Sequence, residues 1–265
     1  MGGMEIVKKP DQLYKFKRIR EEEDLKRIEK QILESNVFFS KPSELNDPFE
    51  SLTYKIQLHV TGGGYINSCG YERSEVTTAR DKFRVFSLTD NIHSPLMWAH
   101  YANEYCGCCL IYRSDNTLSS VKKVHYTKKE KIVNEDEFPN GDIDRVLFKS
   151  LFYKMSDWSY ESEWRIVNKQ DNALVQLNPN ELIGVVVGHN LPLSTRMGIN
   201  QLCLERELPC LCTRIMQYKS EIMFFPMGMK EPDVEFENVI QETKDKYPYC
   251  NELFQYLNSK LIEEL

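Results

Sequence analysis

The sequence predicts an α+β fold: a mixed, largely antiparallel sheet system with flanking helices and a C-terminal helix. Two patterns carry that expectation. Strand-like and helix-like stretches alternate irregularly, without the repeated βαβ unit of a parallel fold. The end of the chain sets Leu253, Tyr256, Leu257 and Leu261 at i, i+3, i+4 and i+8, which is a helical stripe. With 265 residues, 41% hydrophobic and 11% aromatic, the chain can bury a sizeable core. It shows no internal repeat and no low-complexity linker. A single domain over residues 1–265 is expected, with 218–265 as a C-terminal elaboration.

The elements follow in order. Residues 13–17 read as a strand, and 22–34 as an amphipathic helix with Leu25, Ile28, Ile32 and Leu33 on one face. Residues 37–40 form a second strand, followed by a loop over 41–50. Residues 54–60 read as extended, 61–64 as a glycine-rich turn, and the stretch to Thr78 fits no pattern. A strand at 83–88 precedes a helix at 95–102, capped by Ser94 with Pro95 in the first turn. Strands are expected at 108–112 and 121–126, then an acidic surface loop near 134–144. A helix over 142–155 turns Ile143, Val146, Leu147, Leu151 and Phe152 inward. Strands at 158–167 and 182–187, a helix at 193–207, strands at 210–217 and 222–225 and a helix at 248–265 complete the chain.

Bulk charge excludes little but usefully. There are 34 basic and 40 acidic residues, net −6, which argues against a general nucleic-acid coat. No apolar run of about 18 residues suggests a membrane span. The first residues lack the apolar core of a signal peptide, so a cytoplasmic location without membrane partners is expected. Among the eight cysteines only Cys106 and Cys109 stand at Cys-x-x-Cys spacing, with no second such pair, and the five histidines do not flank the cysteines at zinc-ligand spacing. Cys106, Cys108 and Cys109, and likewise Cys210 and Cys212, lead into apolar strands and read as buried reduced thiols, so no metal is expected.

The stretch 157–167 carries the most chemistry. Read as one extended strand, it puts Trp158, Tyr160, Ser162, Trp164 and Ile166 on one face and Asp157, Ser159, Glu161, Glu163 and Arg165 on the other. Successive charges on one face stand about 7 Å apart. Such a row is either a solvated ion-pair ladder of little energetic weight or a working site on an anchored strand. Three weaker candidates also have two readings. Asn46 and Asp47 precede Pro48 and Phe49, as a structural turn with Phe49 plugging the core or as the lining of a cleft. Met97, Trp98, His100 and Tyr101 share a short helix. His100 is either bonded to backbone beside the core or an acid/base, and Tyr101 a stacking platform. Gly188, His189 and Asn190 before the 193–207 helix could present backbone N–H groups to a phosphate. The basic residues at 17–20 and 122–129 read as solvated faces.

Three segments taken together resemble a large bacterial family of unknown function, domain of unknown function 2971, over roughly residues 13–217. They are Leu45-Asn46-Asp47-Pro48-Phe49-Glu50 after the Phe38-Phe39-Ser40 strand; Phe86-Ser87-Leu88-Thr89 leading to Met97-Trp98-Ala99-His100-Tyr101-Ala102; and Lys149 before the 158–165 stretch, with a later strand ending at Gly188. The order Tyr14 and Lys15, then Ser40, then Glu161-Ser162-Glu163 is also similar to that of ADP-ribosyltransferases. That second resemblance implies NAD as cofactor, held by Tyr14, Lys15, Ser40, Asn46, Tyr101 and Arg165, with Glu163, Glu161 and His100 as catalytic groups. Glu163 would face the ribose, where cleavage of the nicotinamide bond builds oxocarbenium character. Glu161 would orient a protein or nucleic-acid acceptor, and Arg165 would bind phosphate or lock Glu163. The alternative expectation is a non-catalytic interaction module of bacterial stress or phage response. A metal-dependent hydrolase comes third.

Overall fold

The computed structural model describes residues 8–47, 54–60, 64–67, 78–129, 131–134, 143–216, 221–229 and 236–263. The expectations for Pro48, Phe49, Glu50 and Cys69, for the turn at 61–63 and for most of the acidic loop (135–142) lie outside the described residues. The strands used below are β1 Gln12–Lys17, β2 Phe83–Thr89, β3 Cys108–Arg113, β4 Lys122–Lys123, β5 Glu163–Lys169, β6 Leu182–Val187, β7 Cys210–Met216 and β8 Glu221–Pro226. The helices are α1 Glu22–Glu34, α2 Pro95–Tyr101, α3 Ile143–Ser150, α4 Leu193–Glu205, α5 Phe236–Lys246, α6 Asn251–Leu257 and α7 Ser259–Glu263. The fold is α+β, as expected, and the chain is organised in two compact units.

The first unit draws on Val37–Thr89 and Leu118–Val175. Its β5 pairs antiparallel with β2 on one side and with β4 on the other. A short parallel pair, Tyr153–Met155 with His125–Thr127, stands beside it. Phe83, Val85, Leu147, Leu151, Phe152 and Val167 form the core under α3. The helix expected over 142–155 stops at Ser150. The Ser150 hydroxyl donates to the Leu147 carbonyl (2.7 Å) and Phe152 N–H closes a tighter turn on Lys149 (3.1 Å), which frees residues 153–155 to run as a strand. The strand expected at 121–126 divides at Val124: its N–H still pairs with the β5 carbonyl of Glu163 (2.9 Å), while the His125 N–H donates to the Phe152 carbonyl (2.8 Å) and 125–127 pairs with 153–155.

The second unit draws on Pro10–Asn36, Asp90–Thr117 and Gln176–Leu265. Its strand order is β8-β7-β6-β3-β1, antiparallel throughout except for the parallel β6–β7 pair. Leu110, Ile111, Val185, Val186, Leu211 and Phe224 are buried on both sheet faces, which explains their near-continuous apolar runs. Cys108, Cys109, Cys210 and Cys212 are buried within those strands, and every described cysteine is a free thiol. Ser94 caps α2 as expected, accepting the Met97 N–H at 3.3 Å. The C-terminal helix is a broken one. Buried Asn258 separates α6 from α7 because its side chain is spent on β8, accepting from Phe224 N–H (3.1 Å) and donating to Phe224 and Phe254 carbonyls (2.8 Å each). The sequence reading assigned no helix to α5. No helix among the described residues is long and apolar enough to cross a membrane.

Candidate functional site

The stretch around Glu163 is built differently from the single strand the alternation suggested. Ser156–Glu161 forms 3-10 turns, Ser162 has a left-handed backbone (φ 43°), and only Glu163 begins β5. The Ser162 N–H closes the turn on the Ser159 carbonyl (3.1 Å), so side chains before it do not follow the alternation after it. The consequence for charge placement is large. Glu161 turns to Lys154 on the neighbouring strand, with Lys154 Nζ 2.6 Å from Glu161 Oε2 and 3.5 Å from Glu163 Oε2. Arg165 takes Glu163 in a fork: Nε donates to Oε1 and Nη2 to Oε2, both at 2.7 Å. Its Nη1 donates to the Leu151 carbonyl, also at 2.7 Å.

This network is closed off from water. Side-chain exposure is 5% for Lys154 and Glu161, 7% for Glu163 and 1% for Arg165. The expected solvated ladder is therefore replaced by a buried, charge-balanced quartet of two carboxylates and two cations. Burial by itself raises the Glu163 carboxyl. Arg165 and then Lys154 outweigh it and bring it down to about 2. One aromatic ring lies against the network: Lys154 Nζ is 4.6 Å from the Trp158 ring centroid. Trp164 faces the other side of the strand, with Lys123 Nζ 5.4 Å from its ring centroid. The Glu163 N–H donates to the Tyr126 hydroxyl oxygen (2.9 Å), and burial pushes the Tyr126 hydroxyl well above its usual range.

The other expected site residues are dispersed. In the first unit, Ser40 is half-buried and bonded through its backbone to Val85 (2.9 and 2.8 Å). Asn46 is exposed while Asp47 is buried, which fits a turn with one inward carboxylate. In the second unit, Tyr14 is buried in β1 and hydrogen-bonded to Tyr256; burial raises its pKa. Lys15 is half-buried on the same strand. Met97 and Trp98 are buried, so α2 is a core helix, with Trp98 Nε1–H donating to the Ile92 carbonyl (2.8 Å). His100 is exposed at its end, 6.4 Å from the half-buried Tyr101 ring.

The site therefore joins three expected residues, Glu161, Glu163 and Arg165, and two that the sequence reading passed over, the fourth quartet member Lys154 and the adjoining Tyr126. Lys154 did leave a trace: a lone lysine in the apolar run Leu151-Phe152-Tyr153-Lys154-Met155 needs a buried counter-ion if that run is interior. Among the described residues, no group of three His, Cys, Asp or Glu side chains is placed to hold a metal ion.

Residues 97–166 match the family model described as Protein of unknown function (DUF2971). The DUF2971 match runs from Met97 in α2 to Ile166 in β5, a shorter stretch than the 13–217 of the sequence resemblance. It takes in the whole quartet and Tyr126. No curated protein and no solved structure matches the chain.

Proposed function

We propose that the chain is a non-catalytic binding module in which Glu161, Lys154, Glu163 and Arg165 hold the first unit together. The observation that carries this reading is the Arg165 fork, which occupies both Glu163 oxygens inside a buried site whose Lys154 lies against the Trp158 ring. A carboxylate that stabilises a ribosyl cation must face the sugar. For Glu163 to act that way, Arg165 would have to release it and leave a cation buried without its partner, a loss of several kcal/mol. The ADP-ribosyltransferase-like reading with bound NAD asks for that release, so it ranks second. The deciding experiment incubates the purified protein with NAD and a protein or nucleic-acid acceptor, alongside Glu163→Gln. The binding-module reading expects no nicotinamide release, no ADP-ribose transfer and no NAD-induced rise in melting temperature. NAD cleavage that disappears in a folded Glu163→Gln variant would overturn it.

A further inference from the structure

The parallel strands β6 and β7 are joined through α4, so a strand–helix–strand crossover is set into an otherwise antiparallel sheet. Crossover units of this kind collect ligands beyond the carboxyl ends of their strands. At that end the chain leaves β6 through Gly188, His189 and Asn190. Gly188 has no room for a side chain: a Cβ would fall 2.0 Å from the Tyr105 carbonyl oxygen. Asn190 fastens the same loop, donating its N–H to the Tyr105 carbonyl (3.2 Å) and its side-chain amide to the Glu104 carbonyl (2.9 Å). Asn103, Glu104 and Tyr105 are three consecutive left-handed residues, with φ of 50°, 55° and 64°. That conformation is costly for residues with a Cβ. Its product is the position of the Tyr105 ring, stacked on Trp98 at 5.6 Å and set 4.7 Å from the His189 ring.

His189 is held just as firmly from β7. Its backbone N–H donates to Thr213 Oγ1 (2.9 Å), and its ring Nδ1 lies 3.0 Å from the same oxygen. Thr213 is fully buried. The hydroxyl accepts the backbone N–H and has one proton to give Nδ1; assigning that donation places the ring hydrogen on Nε2, a tautomer assigned from the bonding pattern and not observed. Burial, then the nearby Arg196 cation, lowers the His189 pKa and favours that neutral form. Arg196, in the first turns of α4, is a cation without an anion. Its Nη1 reaches only the Cys212 sulfur (3.5 Å), its Nε is buried with no partner, and no carboxylate among the described residues pairs with it. The Cys212 thiol supplies no counter-charge, since burial pushes its pKa up.

We infer that His189 and Arg196 bind a small oxyanion, the phosphate or carboxylate group of a ligand, at the carboxyl end of the β6–β7 pair. The guanidinium Nη1–H and Nη2–H groups fork two oxygens, and the imidazole Nε2–H donates beside them. Thr213 and Tyr105 act as positioning residues. This site lies wholly in the second unit and does not depend on the reading of the Glu163 quartet.

The test titrates the full chain with inorganic phosphate and, separately, with acetate, following the His189 ring resonances and the heat of binding. At least one anion should bind and shift the His189 signals, and the arm that responds identifies the oxyanion. Arg196→Gln should weaken that binding about tenfold or more, with an unchanged melting temperature because Arg196 is part-exposed on a surface helix. Arg196→Lys, which keeps the charge and loses the fork, should fall between the two. Silence of the His189 signals in both titrations would overturn the site, as would unweakened binding by folded Arg196→Gln and Arg196→Lys.

Discussion

Arg165 and Glu163, two residues apart on one strand, meet through two hydrogen bonds of 2.7 Å and are both buried. Neighbours on the same face of a strand do not pair so tightly by default, since their Cβ atoms stand about 7 Å apart. The fork persists because Arg165 is held at its other edge by the Leu151 carbonyl and Glu163 is shared with Lys154. Removing one member should cost more than the pair contributes. Glu163→Gln, or Arg165→Met, is expected to destabilise the protein by about 3–5 kcal/mol, because each leaves a buried charge uncompensated. Urea unfolding followed by circular dichroism measures this; a loss below about 1 kcal/mol, the range of an exposed pair, would contradict the burial.

The same pair sets a pH dependence. Glu163 is held at about 2 in the fold against a reference value of 4.5. A carboxyl depressed in the folded state contributes stability that is fully present above its unfolded pKa and lost as pH falls through the folded one. The contribution is on the order of 3 kcal/mol, lost between about pH 4.5 and 2. Glu163→Gln should flatten stability over that window and leave the slope near neutral pH unchanged. Denaturation curves at stepped pH values give the comparison, and parallel slopes for both proteins would refute the assignment.

How far the sequence speaks is clearest at this strand. Glu163, Arg165 and the inward Trp164 were legible from alternation, because β5 does follow period two from Glu163 onward. Glu161 was placed on the right face for the wrong reason. The left-handed Ser162 breaks the period, and nothing in the sequence marks a serine for that conformation. The expected solvated ladder failed because burial is a tertiary property. Lys154 and Tyr126 reach the quartet from the separate short strands Tyr153–Met155 and His125–Thr127. Helix α5 escaped notice because its segment is mostly polar, with Phe236, Val239 and Ile240 its apolar residues. Elements with strong local signals, such as α1, α2 and the buried β6, stand close to where the pattern puts them.

Lys154 and Glu161 should behave as a coupled unit. Lys154→Met removes the cation 2.6 Å from Glu161, and Glu161→Gln removes the nearer of the two carboxylates that face Lys154. Each single change is expected to cost about 2–4 kcal/mol, while the double variant costs less than their sum by at least about 1 kcal/mol. A double-mutant cycle in urea reads the coupling directly. Strict additivity would mean that the 2.6 Å ion pair carries no net interaction.

Ser162 decides whether the quartet can assemble, because its left-handed backbone releases Glu161 from the alternation of β5. A β-branched side chain resists that conformation more than serine does, through crowding of its Cβ branches against the backbone. Glycine adopts it freely but loses more chain entropy on folding, by roughly 0.5–1 kcal/mol. Ser162→Val is therefore expected to lower stability by about 1–2 kcal/mol, whereas Ser162→Gly should stay within about 0.5 kcal/mol of the parent. The two effects separate backbone strain from loss of a side-chain contact, since both variants remove the hydroxyl. If Val were tolerated and Gly destabilising, Ser162 would not sit in the left-handed region, and the geometry that brings Glu161 to Lys154 would need another cause.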